Sequence, residues 1–250
     1  MFWWFGCAPP SGGLMVPESP GIVASPDLDP DPDRFEGELV AAEAELRFGD
    51  QVATVLAFDG SVPGPLITVD QGDVVDVRFR NELPDAYHNS IHWHGIEGYN
   101  ASDGTPVTQE MVPRGDGFTY AFVATRPGLY WYHPHHRGAQ SVFSGLYGPL
   151  LVREPAEALL VDRGILPRRE EVLVLSDVSL YDGRVLSAES DNPMEVMNGT
   201  EGELLLVNGQ VLPTLRAEVG AGLRLRVVNT SITRFWRLSV RGHTLYRVGG

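Results

Sequence analysis

A single cysteine, Cys7, in 250 residues leaves no partner for an internal disulfide and no thiolate set for a zinc cluster. Beyond the first few residues, no apolar run approaches the roughly twenty residues a membrane span needs. Basic residues are also scarce, 19 against 33 acidic. The resulting formal charge of -14 argues against a nucleic-acid-binding surface and favours solubility. Long apolar runs are replaced by short ones set among 28 glycines and 19 prolines, a usage that fits many short strands and tight turns better than long helices. A chain of this length is expected to form one or two domains and to bury a sizeable core.

Histidine is what the chain has in concentrated form. Five of the seven histidines fall in Ser90-Ile91-His92-Trp93-His94-Gly95, in Tyr130-Trp131-Tyr132-His133-Pro134-His135, or directly after the latter as His136. Side chains alternate faces along a strand, so His92 and His94 are expected on one face with Trp93 on the other, and His133 and His135 likewise. His136 would then point away. One histidine in a strand is more often a hydrogen-bonded core or surface residue than a ligand. Two facing His-x-His pairs in aromatic settings, however, can bring four imidazoles to one point, and imidazole suits copper, zinc, iron and nickel. A metal site is therefore expected at His92, His94, His133 and His135.

Taken in order, Met1-Phe2-Trp3-Trp4-Phe5-Gly6-Cys7 reads as the tail of an export signal ending before a lipid-accepting cysteine, although it lacks a basic start; a chance apolar N-terminus is the plain alternative. Residues 8–34, rich in proline and aspartate, read as a tether. Period-two patterning starts at Phe35 and recurs at Val52–Phe58, Asp73–Asn81 and Phe118–Phe122, separated by turns such as Asp59-Gly60 and Pro63-Gly64-Pro65, and Gly145–Val152 closes the unit. An antiparallel sandwich or barrel follows from that spacing. Residues 155–169 read as a linker. Beyond them the first unit's pattern returns: Val207-Asn208-Gly209-Gln210-Val211-Leu212-Pro213 echoes Phe58-Asp59-Gly60-Ser61-Val62-Pro63, and Gly220 to Asn229 matches Gly72 to Asn81. The second copy carries only His243, so the fold is expected to be duplicated and the metal site not. It is also shorter than the first, and open sheet edges are expected, left either by truncation or for a partner to cover.

These residues resemble the N-terminal part of a three-domain multicopper oxidase of the laccase-like and cuprous-oxidase kind. The resemblance runs from about Leu39 to Gly250 and is carried by Val62-Pro63-Gly64-Pro65, Gly72-Asp73, His92-Trp93-His94-Gly95, Asp103-Gly104, Gln109, Gly128 to His135 and Gly145 to Leu150. It implies an all-β chain of tandem cupredoxin-like, Greek-key domains. Residues 1–34 would be signal and tether, 35–154 the first domain with the copper site, 155–169 the linker and 170–250 an incomplete second domain. It further implies that His92 ligates a type 2 copper, that His94, His133 and His135 ligate a type 3 pair, and that Asp103 helps move protons; an ordinary Asp-Gly turn is the plainer account of Asp103. Dioxygen would be reduced to water with electrons from a small reducing substrate, a phenol or a metal ion, in an exported protein, periplasmic or extracellular.

The chain departs from that family in one respect. Nothing in it resembles His-Cys-His, and Cys7 lies outside any strand pattern, so the other cluster ligands and the blue copper would have to come from a missing C-terminal cupredoxin domain. On this reading the chain is inactive alone. Two other readings remain open: a cupredoxin module that binds copper without turnover, and a cupin-type dioxygenase using His92, His94, His133 and Glu97. Trp93, Trp131 and Tyr132 are expected to pack against neighbouring strands.

Overall fold

The alternating stretches become strands, and the computed structural model describes them through residues 21–188 and 192–248. The Met1–Cys7 segment lies outside the described residues. The first unit runs through β1 (Arg34–Phe48), β2 (Gln51–Phe58), β3 (Ile67–Asp70), β4 (Val74–Asn81), β5 (His92–His94), β6 (Gly117–Val123), β7 (Gly128–His133), a short helix α1 (Gly138–Phe143) and β8 (Gly148–Arg153). Helix α2 (Glu157–Asp162) leads to β9 (Arg169–Val178), β10 (Leu180–Tyr181), β11 (Arg184–Val185), helix α3 (Pro193–Asn198), β12 (Leu204–Val207) and β13 (Leu223–Asn229). No described helix is long and apolar enough to cross a membrane.

Two sheets face each other in the first unit. One has the order β10-β11-β2-β1-β4-β6, the other β3-β8-β7-β5. Between them lie the inward sides of the alternating strands: Leu39, Val75, Val77, Phe79 and Tyr120 from the first sheet, Trp93, Tyr132, Leu150 and Val152 from the second. Each such side chain contributes roughly 1.5–3 kcal/mol by leaving water. The sandwich is not wholly antiparallel as the strand spacing predicted. Hairpin neighbours β1 and β2 do pair antiparallel, but β4 returns along the other edge of β1 in parallel, and β3 pairs parallel with β8. Sequence spacing shows where strands fall, not which edge a later strand finds free.

The second unit repeats this pattern. Strand β9 pairs antiparallel with β12 and parallel with β13, as β1 does with β2 and β4. Both copies turn through two left-handed residues, Asp59 and Gly60 (φ 48° and 69°) in one, Asn208 and Gly209 (φ 53° and 73°) in the other. In each, the first turn residue exchanges two bonds with one residue of the facing strand: Val40 N–H donates to Asp59 Oδ1 at 2.8 Å and Val174 N–H to Asn208 Oδ1 at 2.7 Å, while the Asp59 and Asn208 amides donate back to the Val40 and Val174 carbonyls, each at 2.9 Å. The closing asparagines also agree. Asn81 Oδ1 accepts from Leu83 N–H at 3.1 Å and Asn229 Oδ1 from Ser231 N–H at 3.0 Å.

The two units share a sheet and a core. Strand β11, from the second unit, extends the first unit's sheet by pairing with β2 at Thr54. Val172, Val174, Val178 and Leu206 share a core with Val55, Val62, Leu66, Val142 and Tyr147. Within the linker, α2 is tied down by charge: Glu157 takes both Arg224 (2.6 Å) and Arg226 (2.7 Å) from β13, and Glu170 meets the same two arginines. Part of the stretch read as a tether also docks, with Leu66 N–H donating to the Val23 carbonyl (2.7 Å) and Ser25 N–H to the Leu66 carbonyl (2.8 Å).

Candidate metal centre

Strands β5 and β7 lie side by side and antiparallel, with His92 opposite His133, Trp93 opposite Tyr132 and His94 opposite Trp131. Alternation then sorts the residues. Trp93 and Tyr132 turn into the core, while His92, His94, Trp131 and His133 share the other face. Tyr132 anchors β7 by donating its hydroxyl to the Pro65 carbonyl at 2.7 Å. Gly148, its partner on β8, leaves the room its ring occupies, since a Cβ there would overlap that ring.

One nitrogen each from His92, His94 and His133 lies within 4.8 Å of the others. The rings of His92 and His133 are 5.3 Å apart between centroids, and those of His94 and His133 5.4 Å. His135 is placed differently from the prediction: β7 ends at His133, and Pro134 carries the chain into a bend. Its ring still comes to 4.8 Å from that of His92, but 6.4 Å from that of His133. Three of the four predicted ligands thus form a tight group, and the fourth flanks it through His92. Among the described residues no ring contact joins His136 to them.

The outward nitrogens are occupied by the backbone. His92 Nδ1 meets the Asp103 carbonyl at 2.9 Å, with the Asp103 carboxylate 3.3 Å away, and His133 Nδ1 meets the Pro134 carbonyl at 2.9 Å. A carbonyl only accepts, so each Nδ1 carries the proton and each Nε2 keeps its lone pair. His133 Nε2 faces His94 Nδ1 at 3.2 Å, so His94 Nδ1–H is the donor between them. The electrostatics agree with lone pairs turned inward. Burial, assisted by the neighbouring rings and opposed by the Pro134 carbonyl, pushes His133 down to about 4. Burial and the rings of His92 and His135 lower His94; burial and His92 lower His135, against the pull of Asp103.

Asp103 reaches His92 because its loop presses on β5. Gly104, at φ 75°, passes so close to the Ile91 carbonyl that a Cβ would overlap it, and Ser90 Oγ–H donates to the Gly104 carbonyl at 2.6 Å. The Asp-Gly pair was visible in the sequence as a turn. That its carbonyls point at His92 and Ser90 was not. Glu97, the extra ligand a cupin site would need, instead pairs with Arg126 at 3.0 Å and stays out of the histidine group. His243 of the second unit is exposed, its Nδ1 on the Arg241 carbonyl. Trp131 does more than pack: its indole stacks on both His94 and His133.

Residues 41–157 match the sequence profile of multicopper oxidases. Among curated proteins the chain is 30% identical over 236 residues to multicopper oxidase MmcO of Mycobacterium tuberculosis, covering 83% of this chain and 45% of that protein. It is 37% identical over 210 residues to laccase-1 of Botryotinia fuckeliana, covering 82% and 36%. The chain spans less than half the length of these curated relatives. Among solved structures, the multicopper oxidase of Pseudomonas thermotolerans superposes at a TM-score of 0.73 with 33% identity, over 84% of this chain and 49% of that one. The fold is thus all-β and cupredoxin-like, the matched stretch contains both histidine strands, and the chain belongs to the multicopper oxidase family.

Proposed function

We propose that His92, His94, His133 and His135 hold copper in an oxidase that couples one-electron oxidation of a phenol or metal ion to four-electron reduction of dioxygen to water. The observation that carries this is the convergence of three imidazole nitrogens within 4.8 Å while carbonyls hold the far nitrogens of His92 and His133. Two imidazoles on one ion at about 2.0–2.1 Å keep their nitrogens within ~4.2 Å, so the group needs little adjustment to close on a metal. The donor set fits copper: neutral imidazole serves both of its oxidation states, where carboxylates alone favour harder ions. Following the family resemblance, His92 is assigned to a type 2 copper and the other three histidines to a type 3 pair.

Copper bound there supplies one-electron chemistry and a binding place for dioxygen. The chain's own part is to orient and to manage protons. The Asp103 carbonyl fixes the His92 tautomer, and its carboxylate, 42% exposed, stands where it can pass a proton between solvent and the site edge. To ligate through Nδ1, His94 would give up the proton it shares with His133, and its other ring nitrogen could carry that proton instead. Residues 35–154 and 170–250 are read as the first and a partial second cupredoxin domain, joined by 155–169. We assign the missing cluster ligands and the blue copper to a further cupredoxin domain and the whole protein to an exported location, since no His-Cys-His occurs in these 250 residues and Met1–Cys7 has the look of an export segment.

Copper titration of the purified chain, read by electron paramagnetic resonance, tests the site. Nitrogen couplings from several imidazoles are expected, and each of His92→Ala, His94→Ala and His133→Ala should reduce them; full retention in all three variants contradicts the assignment. The ligand count also favours binding without turnover for the 250 residues by themselves. Oxidation of a phenol or of cuprous ion by the copper-loaded chain would overturn that part.

A further inference from the structure

Resting on the reading of His92, His94 and His133 as metal ligands, we propose that Trp131 is the positioning residue for His94. The two other rings of the tight group each have a backbone carbonyl behind them: Asp103 for His92, Pro134 for His133. Among the described residues His94 has none. The hydrogen bond its ring makes there runs forward, to His133 Nε2 at 3.2 Å, on the side where a metal would bind, and a metal taking both nitrogens would remove that bond. Metal-bound imidazoles ordinarily need a partner on the far side to fix the ring plane. For His94 the partner is a face. The Trp131 indole lies 5.0 Å from the His94 ring at an interplanar angle of 26°, and 4.2 Å from the His133 ring at 28°.

The sheet register makes this contact. Trp131 stands directly opposite His94 in the β5–β7 pair and two residues before His133 on the same strand, so one indole covers the ring across the ladder and the ring along it. Its position is set in turn from behind, where it packs against the core shared by the two units. A flat surface packed against the core and stacked on two imidazoles fixes the plane of each. The indole acts through His94 and takes no metal itself, because Trp carries a donor and no lone pair for coordination.

Two measurements test this, one without metal. In the metal-free chain the His94 and His133 ring protons should resonate upfield from the indole ring current, and Trp131→Leu should return the His94 signals toward ordinary positions while leaving the fold's amide spectrum in place. In copper titration, Trp131→Leu should lose about tenfold in affinity, the scale seen when a ligand's supporting partner is removed. Trp131→Phe, which keeps an aromatic face, should recover most of it. The decisive comparison is a double-mutant cycle: in a His94→Ala background, Trp131→Leu should cost clearly less than in the native chain, because the indole's remaining stack is on His133, whose plane the Pro134 carbonyl also holds. An equal loss in that background, or unchanged His94 resonances, overturns the assignment to Trp131. Absence of copper binding by the native chain would instead sink the metal reading, with the ring-current result still deciding whether Trp131 orients His94.

Discussion

A methyl group added at Gly104 would meet the Ile91 carbonyl at a backbone φ of 75°, a region where side chains are strained even in open space. Gly104→Ala is expected to cost more than ~1 kcal/mol, read as a lower melting temperature, and to weaken copper binding because Asp103 is carried away from His92. Tyr132→Phe isolates a different effect. It removes one oxygen from a fully buried ring and leaves the buried Pro65 carbonyl without that donor, for an expected loss of roughly 1–3 kcal/mol in denaturant titration. At this scale the sequence was readable wherever period two applied: His92 and His94 share a face, and Trp93 lies opposite them. It was unreadable where the strand stopped. His135 sits past Pro134, so its approach to His92 follows from a bend that no alternation encodes. The carbonyls behind His92 and His133 are backbone atoms, and residue identity says little about where they point.

Elements repeat more faithfully than their residues do. The Asp59-Gly60 and Asn208-Gly209 turns make the same bonds with different side chains, because both acids and amides tolerate the left-handed region and both offer an oxygen to the facing strand. Asn208→Ala forfeits bonds to Val174 and to the Val172 carbonyl at a buried left-handed position, and a loss above about 2 kcal/mol is expected in thermal unfolding. The ionic tie of α2 gives a pH signature. Burial raises the Glu157 carboxyl, but Arg224 and Arg226 outweigh it and leave the group below its ordinary value of 4.5. A carboxylate held low in the folded state stabilises above the unfolded value and loses that contribution as pH falls through the folded one. Native protein should therefore melt higher than Glu157→Gln at pH 7, with the difference shrinking below about pH 4.5; a constant difference down to pH 3 would refute the pairing. Sequence alone marked this stretch as a linker because proline punctuates it. That it is pinned to β13 depends on arginines some seventy residues later.

Across the whole molecule, the shared core and the β11 extension make the two units one cooperative body. Calorimetry should show a single transition, and Tyr147→Phe, which deletes the 2.7 Å bond across the units to Ser176, should lower it by about 2–4 °C without splitting it. Two separate transitions would mean the units stand independently. Where the alternating strands fall, the two left-handed turns, the repeated pattern and the pairing of His92 with His94 on one face were legible in the sequence itself, because alternation and turn residues are local properties of a chain. Only the tertiary structure decided that β4 lies parallel to β1, that a hairpin of the second unit extends the first unit's sheet, that the Asp103 and Pro134 carbonyls meet two imidazoles, and that Trp131 stacks on two of the rings. Each of these joins residues far apart in the chain or backbone atoms common to every residue, and neither leaves a mark in local pattern.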